Sequence, residues 1–203
     1  MKTIRKLYDW VLHWAETPYG PMALFILAFA ESSFFPIPPD VLLIALALGV
    51  RKKSFSFALI CSIASIAGGL FGYSIGHFLW WEGSAYSGIA QFFFNNIPGF
   101  TEEIFMSIQK QYSDYGFMII FTAGFTPIPY KIFTISAGAF DINLLLFIIA
   151  SAASRTARFF LVAGLIWKFG KPITVFIDKY FNLLTLIFTL LLVGGFFSIK
   201  YLF

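Results

Sequence analysis

Long apolar runs separated by short polar segments dominate this chain. Three of the runs, over residues 55–81, 144–167 and 180–199, are 20 residues long or longer. A helix of about 20 apolar residues crosses the hydrocarbon layer of a bilayer, which is roughly 30 Å thick. The pattern therefore predicts a transmembrane helix over each of these three ranges.

Two further apolar runs, over residues 22–50 and 117–140, are broken in the middle by proline clusters with the sequences FFPIPPD and FTPIPYK. The two halves of the first run would rise only ~20 Å and ~15 Å as helices, too short to cross alone. Non-helical backbone at membrane depth is tolerated only where protein covers it or where it lines a cavity. We therefore expect two helical hairpins. Their tips contain Pro36, Pro38 and Pro39 in the first run and Pro127 and Pro129 in the second.

Two shorter segments have apolar residues at helical spacing with polar residues between them. They cover residues 1–17 and 100–115. Such a pattern is typical of an amphipathic helix that lies in the membrane interface. Thr101, followed by two glutamates, is a suitable N-cap for the second of these helices.

The distribution of Lys and Arg favours one topology for the first broken run. Basic clusters, Lys2–Lys6 and Arg51–Lys53, lie on both sides of this run. If the run were a single kinked helix that crosses the membrane, the clusters would lie on opposite faces, against the positive-inside rule. A re-entrant hairpin keeps both clusters, and the N-terminus, in the cytoplasm. The same count places residues 82–115 outside and lets the second hairpin enter from the outer face.

The two broken runs also repeat each other at an offset of 91 residues. Under this offset Phe34, Pro36, Ile37 and Pro38 align with Phe125, Pro127, Ile128 and Pro129. Hairpins that enter from opposite faces and are each followed by a span are the signature of an inverted-topology repeat. The predicted fold is an all-α polytopic membrane protein, with one membrane domain over residues 1–203 and a binding site near the bilayer midplane.

Composition agrees with this fold class and limits the partners. The chain of 203 residues is 59% hydrophobic and only 12% charged. A soluble domain of this size cannot bury so much apolar surface. The net charge of +4 comes from basic residues scattered between apolar segments, so we expect no nucleic-acid partner. No metal-ligand or catalytic motif occurs, and we predict neither a cofactor nor an enzymatic activity.

Five charged residues lie inside the predicted membrane segments: Glu31, Asp40, Lys131, Arg155 and Arg158. The two arginines share one face of a helix, near its middle, where an unpaired cation costs about 2.5–3.5 kcal/mol on the insertion scale. One interpretation is that the acids simply pair with the bases and hold the hairpins in place. The other is a site for an anionic headgroup, because three cations exceed two acids and guanidinium forks suit phosphate oxygens. In this second interpretation Arg155, Arg158 and Lys131 bind phosphate, and the two acids exchange protons.

Small residues recur every four positions on the predicted span over residues 55–81. They are Ala64, Gly68, Gly72 and Gly76. Such a stripe indicates close packing between membrane helices.

Three segments together resemble a known family. They are ESSFFPIPPD from residue 31, GFTPIPYKIFTISAG from residue 124 and SRTARFFLVAG from residue 154. The resemblance is to the DedA family of membrane proteins, also called the SNARE-associated or VTT-domain family, and within it to the YqaA-like branch. It implies a bacterial plasma-membrane protein with two re-entrant hairpins in an inverted repeat.

The resemblance also implies a function and site residues. Bacterial members are linked to recycling of undecaprenyl phosphate and to the proton-motive force, and eukaryotic relatives resemble phospholipid scramblases. The family's acidic hairpin positions fall on Glu31 and Asp40, and its basic positions fall on Arg155 and Arg158, whereas Lys131 belongs to the FTPIPYK pattern.

The expected function is a flippase for an anionic lipid phosphate, with membrane lipid as its partner and protons as a coupling ion. The alternatives are a phospholipid scramblase, a small-ion or proton antiporter, and a structural membrane protein. The sequence leaves the lipid, the direction of transport and homo-oligomerisation open.

Overall fold

The computed structural model describes residues 17–34, 38–97, 100–126 and 128–170. These residues form seven α-helices joined by short connections. They are α1 (Gly20–Ser33), α2 (Asp40–Gly49), α3 (Ser54–Trp80), α4 (Gly88–Asn96), α5 (Glu102–Phe125), α6 (Tyr130–Ala139) and α7 (Leu144–Phe169). Two predicted helices lie outside the described residues: the one over residues 1–17, of which only Thr17 is described, and the one over residues 180–199. Pro36 and Pro127 also lie outside them.

Two helices of the described residues are long and apolar enough to cross a membrane. They are Arg51–Trp80, which includes a 3-10 turn over Arg51–Lys53 before α3, and α7. Both coincide with predicted spans, over residues 55–81 and 144–167. The mostly helical fold and the membrane-length helices are therefore confirmed.

Each broken run forms two helices with an interruption at its prolines, as the sequence predicts. In the first run α1 ends at Ser33 and α2 begins at Asp40, and in the second run α5 ends at Phe125 and α6 begins at Tyr130. Pro39 and Pro129 directly precede α2 and α6. A proline here costs little, because the first amides of a helix have no intrahelical acceptor.

Helix α5 combines two predicted segments. Thr101 caps it, since its hydroxyl accepts a hydrogen bond from the amide of Ile104 at 3.3 Å. Tyr115 has non-helical backbone angles (φ −121°, ψ 15°) inside the helix. The kink lies between the predicted amphipathic segment, residues 100–115, and the predicted hairpin over residues 117–140.

Helix α3 is the centre of the fold, because α1, α6 and α7 all pack along it. The predicted small-residue stripe makes this packing close. A Cβ atom on Gly68 would overlap the carbonyl of Phe29 in α1, and one on Gly76 would overlap the carbonyl of Ile135 in α6. The close packing that the stripe indicated is therefore confirmed.

A short β-hairpin after α3 departs from the predicted all-α fold. Strand β1 (Trp81–Glu82) pairs antiparallel with β2 (Ala85–Tyr86). Gly83 starts the two-residue turn with a φ of 66°, a conformation that favours glycine. Strands of two residues are too short to give an alternating pattern, so the sequence did not reveal them.

Candidate functional site

The candidate site lies at the middle of α7, where the interruptions of both broken runs meet. Arg155 and Arg158 lie one helical turn apart on α7 and point to these interruptions. Arg155 contacts the end of α1, and Arg158 contacts the start of α2 and the end of α5. Residues from both halves of the chain thus build one polar centre between apolar helices.

Arg158 holds Asp40 in a two-point contact. Its Nε donates to Asp40 Oδ1 at 3.2 Å and its Nη2 to Oδ2 at 2.8 Å. Asp40 is the first residue of α2, where the helix dipole also favours a negative charge. Both side chains keep some accessible surface, 16% for Arg158 and 18% for Asp40. The ion pair therefore has two-point geometry, and both of its side chains remain partly accessible.

Arg158 also reaches the other interruption. Its Nη1 donates to the backbone carbonyl of Thr126, directly after α5. One guanidinium therefore joins the start of α2 to the end of α5. Any motion that separates these two chain segments has to release Arg158 from one of them.

Arg155 is more deeply buried than Arg158. It is only 1% exposed, and its Nη2 donates to Glu31 Oε2 at 2.7 Å. The rings of Tyr130 and Phe159 lie 5.0 Å and 4.7 Å from the guanidinium carbon. Aromatic faces attract a desolvated cation, so these contacts offset part of the cost of burying Arg155.

Two serines complete the surroundings of this pair, and the sequence reasoning missed both. Arg155 Nε donates to the hydroxyl of Ser65 at 2.6 Å. The hydroxyls of Ser65 and Ser32 lie 2.6 Å apart, and Ser32 donates to Glu31 Oε2 at 3.3 Å. The available signal was the position of Ser32 next to an intramembrane acid; Ser65 carried no such signal, because serines are common in apolar helices.

Lys131 lies at the edge of the site. Its Nζ donates to the carbonyl of Phe34, just after α1, at 3.4 Å. In the described part of the chain no carboxylate forms an ion pair with it. Thr134, one turn later in α6, donates to the carbonyl of Ser32 at 3.0 Å. The start of α6 is thus tied to the end of α1 through backbone carbonyls, and the charge of Lys131 has no acidic partner there.

Of the predicted tip prolines that the structure describes, Pro39 directly precedes Asp40 and Pro129 directly precedes Tyr130. Pro38 and Pro129 are exposed, whereas Pro39 is buried. Over the described ranges, no cluster of three or more His, Cys, Asp or Glu side chains could hold a metal ion.

Comparison with known proteins places the chain among relatives. An uncharacterized protein of Haemophilus influenzae is 32% identical over 203 residues, which is 98% of this chain and 100% of the relative. The chain belongs to the family of this protein. A second relative, the "Uncharacterized protein HI0703 homolog" of Histophilus somni, is 36% identical over 171 residues, or 84% of this chain and 85% of the relative.

Two other comparisons found no counterpart for this family member: no family model matches the chain, and no solved structure matches it. The names of the two relatives state no activity. The functional conclusion therefore depends on the chemistry of the site.

Proposed function

We propose that this protein transports a lipid with an anionic phosphate headgroup across the membrane, and that the lipid is a polyprenyl phosphate such as undecaprenyl phosphate. The observation that carries the proposal is Arg158. It is a partly accessible guanidinium in the middle of a membrane-length helix, and it already holds an oxyanion, the Asp40 carboxylate, in two-point geometry. A phosphate presents the same pair of oxygens to this fork.

The charge count of the site supports an anionic ligand. Arg155 and Arg158 each have one carboxylate partner, and Lys131 has none in the described segments. Among the described residues one positive charge therefore remains at the edge of the site, and at the proposed membrane depth an uncompensated charge is costly. A phosphate headgroup would neutralise it.

The outer surface of the helices supports a protein surrounded by lipid. Large apolar side chains at least 41% exposed occur on three helices that meet at the site. They are Met22, Phe25 and Ile26 on α1, Leu59, Ile63 and Phe71 on α3, and Leu145, Ile149 and Leu161 on α7. Apolar patches of this extent mark contact with a membrane or a partner.

The packing of the broken runs supports the proposed inverted repeat. The first half of each run packs on the long helix of its own repeat, α1 on α3 and α5 on α7. The second half of the second run, α6, packs on the long helix of the other repeat, α3, and α2 packs on α7 as well as on α3. This exchange is what two re-entrant hairpins related by a two-fold axis in the membrane plane would produce. It also agrees with the resemblance of the chain to the DedA family.

Asp40 offers a means to couple transport to protons. Its carboxylate and a substrate phosphate compete for the same fork of Arg158. A proton on Asp40 removes the charge that holds Arg158 and favours the phosphate. Asp40→Asn should therefore bind the lipid phosphate but fail to accumulate it in proteoliposomes with an imposed pH gradient. Accumulation by this variant equal to wild type would contradict the coupling.

Thermal unfolding of the purified protein in detergent tests the proposed substrate class. Undecaprenyl phosphate should raise the unfolding midpoint, because a ligand present at 100 times its Kd stabilises by about 2.7 kcal/mol. Undecaprenol and phosphatidylethanolamine should not raise the midpoint. In the Arg158→Ala variant, undecaprenyl phosphate should leave the midpoint unchanged. Lys52→Ala, which removes an exposed cation outside the site, is the matched control.

Two results of this measurement would overturn the proposal. Stabilisation by monovalent cations without any effect of the phosphate would favour a small-ion antiporter. An equal response to phosphatidylethanolamine would favour a phospholipid scramblase.

A further inference from the structure

We propose that the two arginines of the site have different roles: Arg158 contacts the substrate phosphate, and Arg155 belongs to a closed polar ring with Glu31, Ser32 and Ser65 that positions the helices and binds no substrate. This inference rests on the proposed function and assigns the roles within its site. Its basis is the direction of the hydrogen bonds and the burial of each guanidinium.

The hydrogen bonds around Arg155 have one consistent direction. Ser65 accepts from Arg155 Nε, and Ser32 donates to Glu31. Each hydroxyl has a single proton, so in the close contact between the two serines Ser65 is the donor and Ser32 the acceptor. The ring then runs from Arg155 through Ser65 and Ser32 to Glu31, and closes with the direct bond from Arg155 Nη2 to Glu31.

This ring leaves little room for a substrate. Arg155 is 1% exposed, and aromatic rings cover its guanidinium. A phosphate that reached Arg155 would have to displace Glu31, whose side chain is only 12% exposed, and would leave this carboxylate without its cation. Removing one partner of a buried ion pair is strongly destabilising.

Arg158 is more accessible than Arg155. The side chains of Arg158 and Asp40 are 16% and 18% exposed, against 2% and 12% for Arg155 and Glu31. No aromatic cation contact involves Arg158 in the segments that the structure describes. A phosphate can therefore replace Asp40 at Arg158 without opening the apolar core.

The ring joins three of the helices that meet at the site. Glu31 and Ser32 lie at the end of α1, Ser65 in α3, and Arg155 in α7. Arg155 is one turn before Arg158, so the ring fixes the height and rotation of the part of α7 that presents Arg158. Ser32, Ser65, Glu31 and Arg155 are thus positioning residues.

Second-site rescue of phosphate binding distinguishes the two roles. The probe is farnesyl phosphate, the control ligand is farnesol, and the dissociation constant is measured on the full chain in nanodiscs. Arg155→Gln alone leaves Glu31 unpaired, and we expect it to weaken binding. The double variant Arg155→Gln/Glu31→Gln should restore the affinity to within about threefold of wild type, because removing both charges of a buried pair is often neutral.

The matched pair at the other arginine should behave differently. Arg158→Gln weakens binding by about tenfold or more, and Asp40→Asn does not rescue it, because the lost interaction is the charge-assisted contact with the ligand itself. Where the Arg155→Gln/Glu31→Gln chain fails to fold, Arg155→Met/Glu31→Met replaces it. Apolar residues of similar volume in place of a buried ion pair are often neutral or stabilising, so that variant should also bind within about threefold of wild type.

Two outcomes overturn the assignment. One is a folded Arg155→Gln/Glu31→Gln or Arg155→Met/Glu31→Met protein that has lost tenfold or more in affinity. The other is rescue of Arg158→Gln by Asp40→Asn. A wild-type protein that binds farnesyl phosphate no better than farnesol would instead overturn the proposed function, and this inference with it.

Discussion

Arg155 and Arg158 differ by only three positions in the sequence, yet their surroundings in the fold are different. One is enclosed by two aromatic rings and a serine, and the other holds a partly exposed aspartate. In both pairs the acid and the base are more than 100 residues apart in the chain. The pairing therefore depends on how the broken runs pack on α7.

Arg158→Lys should lower the rate of lipid phosphate transport by about tenfold without loss of folded protein. Lysine keeps the charge, but its ammonium cannot make the planar two-point contact that the guanidinium makes with a carboxylate or phosphate. Transport in proteoliposomes measures the rate, and size-exclusion chromatography measures the folded yield. Lys168→Arg, at an exposed position near the end of α7, is the control. An unchanged rate in Arg158→Lys would show that the fork is not needed.

Ser65→Ala should destabilise the protein by about 1–3 kcal/mol, because it leaves a donor of the buried Arg155 without its acceptor. Thermal unfolding in detergent measures this change. Ser62→Ala is a matched control on the same helix, since the buried Ser62 hydroxyl donates to the carbonyl of Ala58 in its own helix. Equal midpoints for the two variants would argue against the ring.

The charged residues of the site could be predicted from the sequence, because a charge inside an apolar run is conspicuous. Glu31, Asp40 and both arginines were found in this way, and the structure brings all four together. Ser65 could not be found, since a hydroxyl in an apolar helix is usually satisfied by its own backbone, and the one signal for Ser32 was its position next to Glu31. The sequence also could not predict that Lys131 contacts the carbonyl of Phe34 and no carboxylate of the described residues, because this contact depends on where α1 ends.

The helix interruptions are the elements that the sequence predicted best. Prolines remove the backbone donors that a continuous helix needs, so the two breaks follow from local chemistry. The β-hairpin and helix α4, by contrast, lie in the polar segment after α3 and have no long pattern. Trp80 packs there among Phe93, Phe94 and Phe105. These contacts are tertiary, and periodicity along the chain did not reveal them.

Gly68→Ala should destabilise the contact between α1 and α3. The added Cβ would overlap the backbone carbonyl of Phe29, which cannot turn away as a side chain can. Overpacking of this kind costs about 1–3 kcal/mol, visible as a lower thermal midpoint.

Gly49→Ala is the control for this prediction. A Cβ at Gly49 meets no atom within 4 Å, and alanine is the better helix former. We expect an unchanged or slightly higher midpoint for Gly49→Ala. A similar loss in both variants would mean that close packing against Phe29 does not determine the effect of Gly68→Ala.

At the scale of the whole molecule, the proposed topology makes a clear prediction for the first broken run. A re-entrant hairpin places Tyr19 and Lys52, at its two ends, on the same side of the membrane, and Ser84, beyond α3, on the other. Each can be replaced by cysteine in a Cys61→Ala background, because Tyr19, Lys52 and Ser84 are all exposed.

Labelling of intact cells and of inverted vesicles with a membrane-impermeant maleimide measures the side. We expect Tyr19→Cys and Lys52→Cys to react only in inverted vesicles, and Ser84→Cys only in intact cells. Reaction of Tyr19→Cys and Lys52→Cys from opposite sides would instead indicate a single kinked helix over residues 22–50.

The most direct test of the account is transport of lipid phosphate by the purified protein in proteoliposomes. The assay follows the movement of undecaprenyl phosphate between leaflets, with phosphatidylethanolamine as the comparison lipid. We predict that the wild-type protein moves undecaprenyl phosphate faster than phosphatidylethanolamine, and that Arg158→Ala reduces this rate to that of protein-free liposomes. Equal rates for wild type and Arg158→Ala, or no movement of undecaprenyl phosphate by the wild type, would contradict a lipid phosphate transporter built around Arg158.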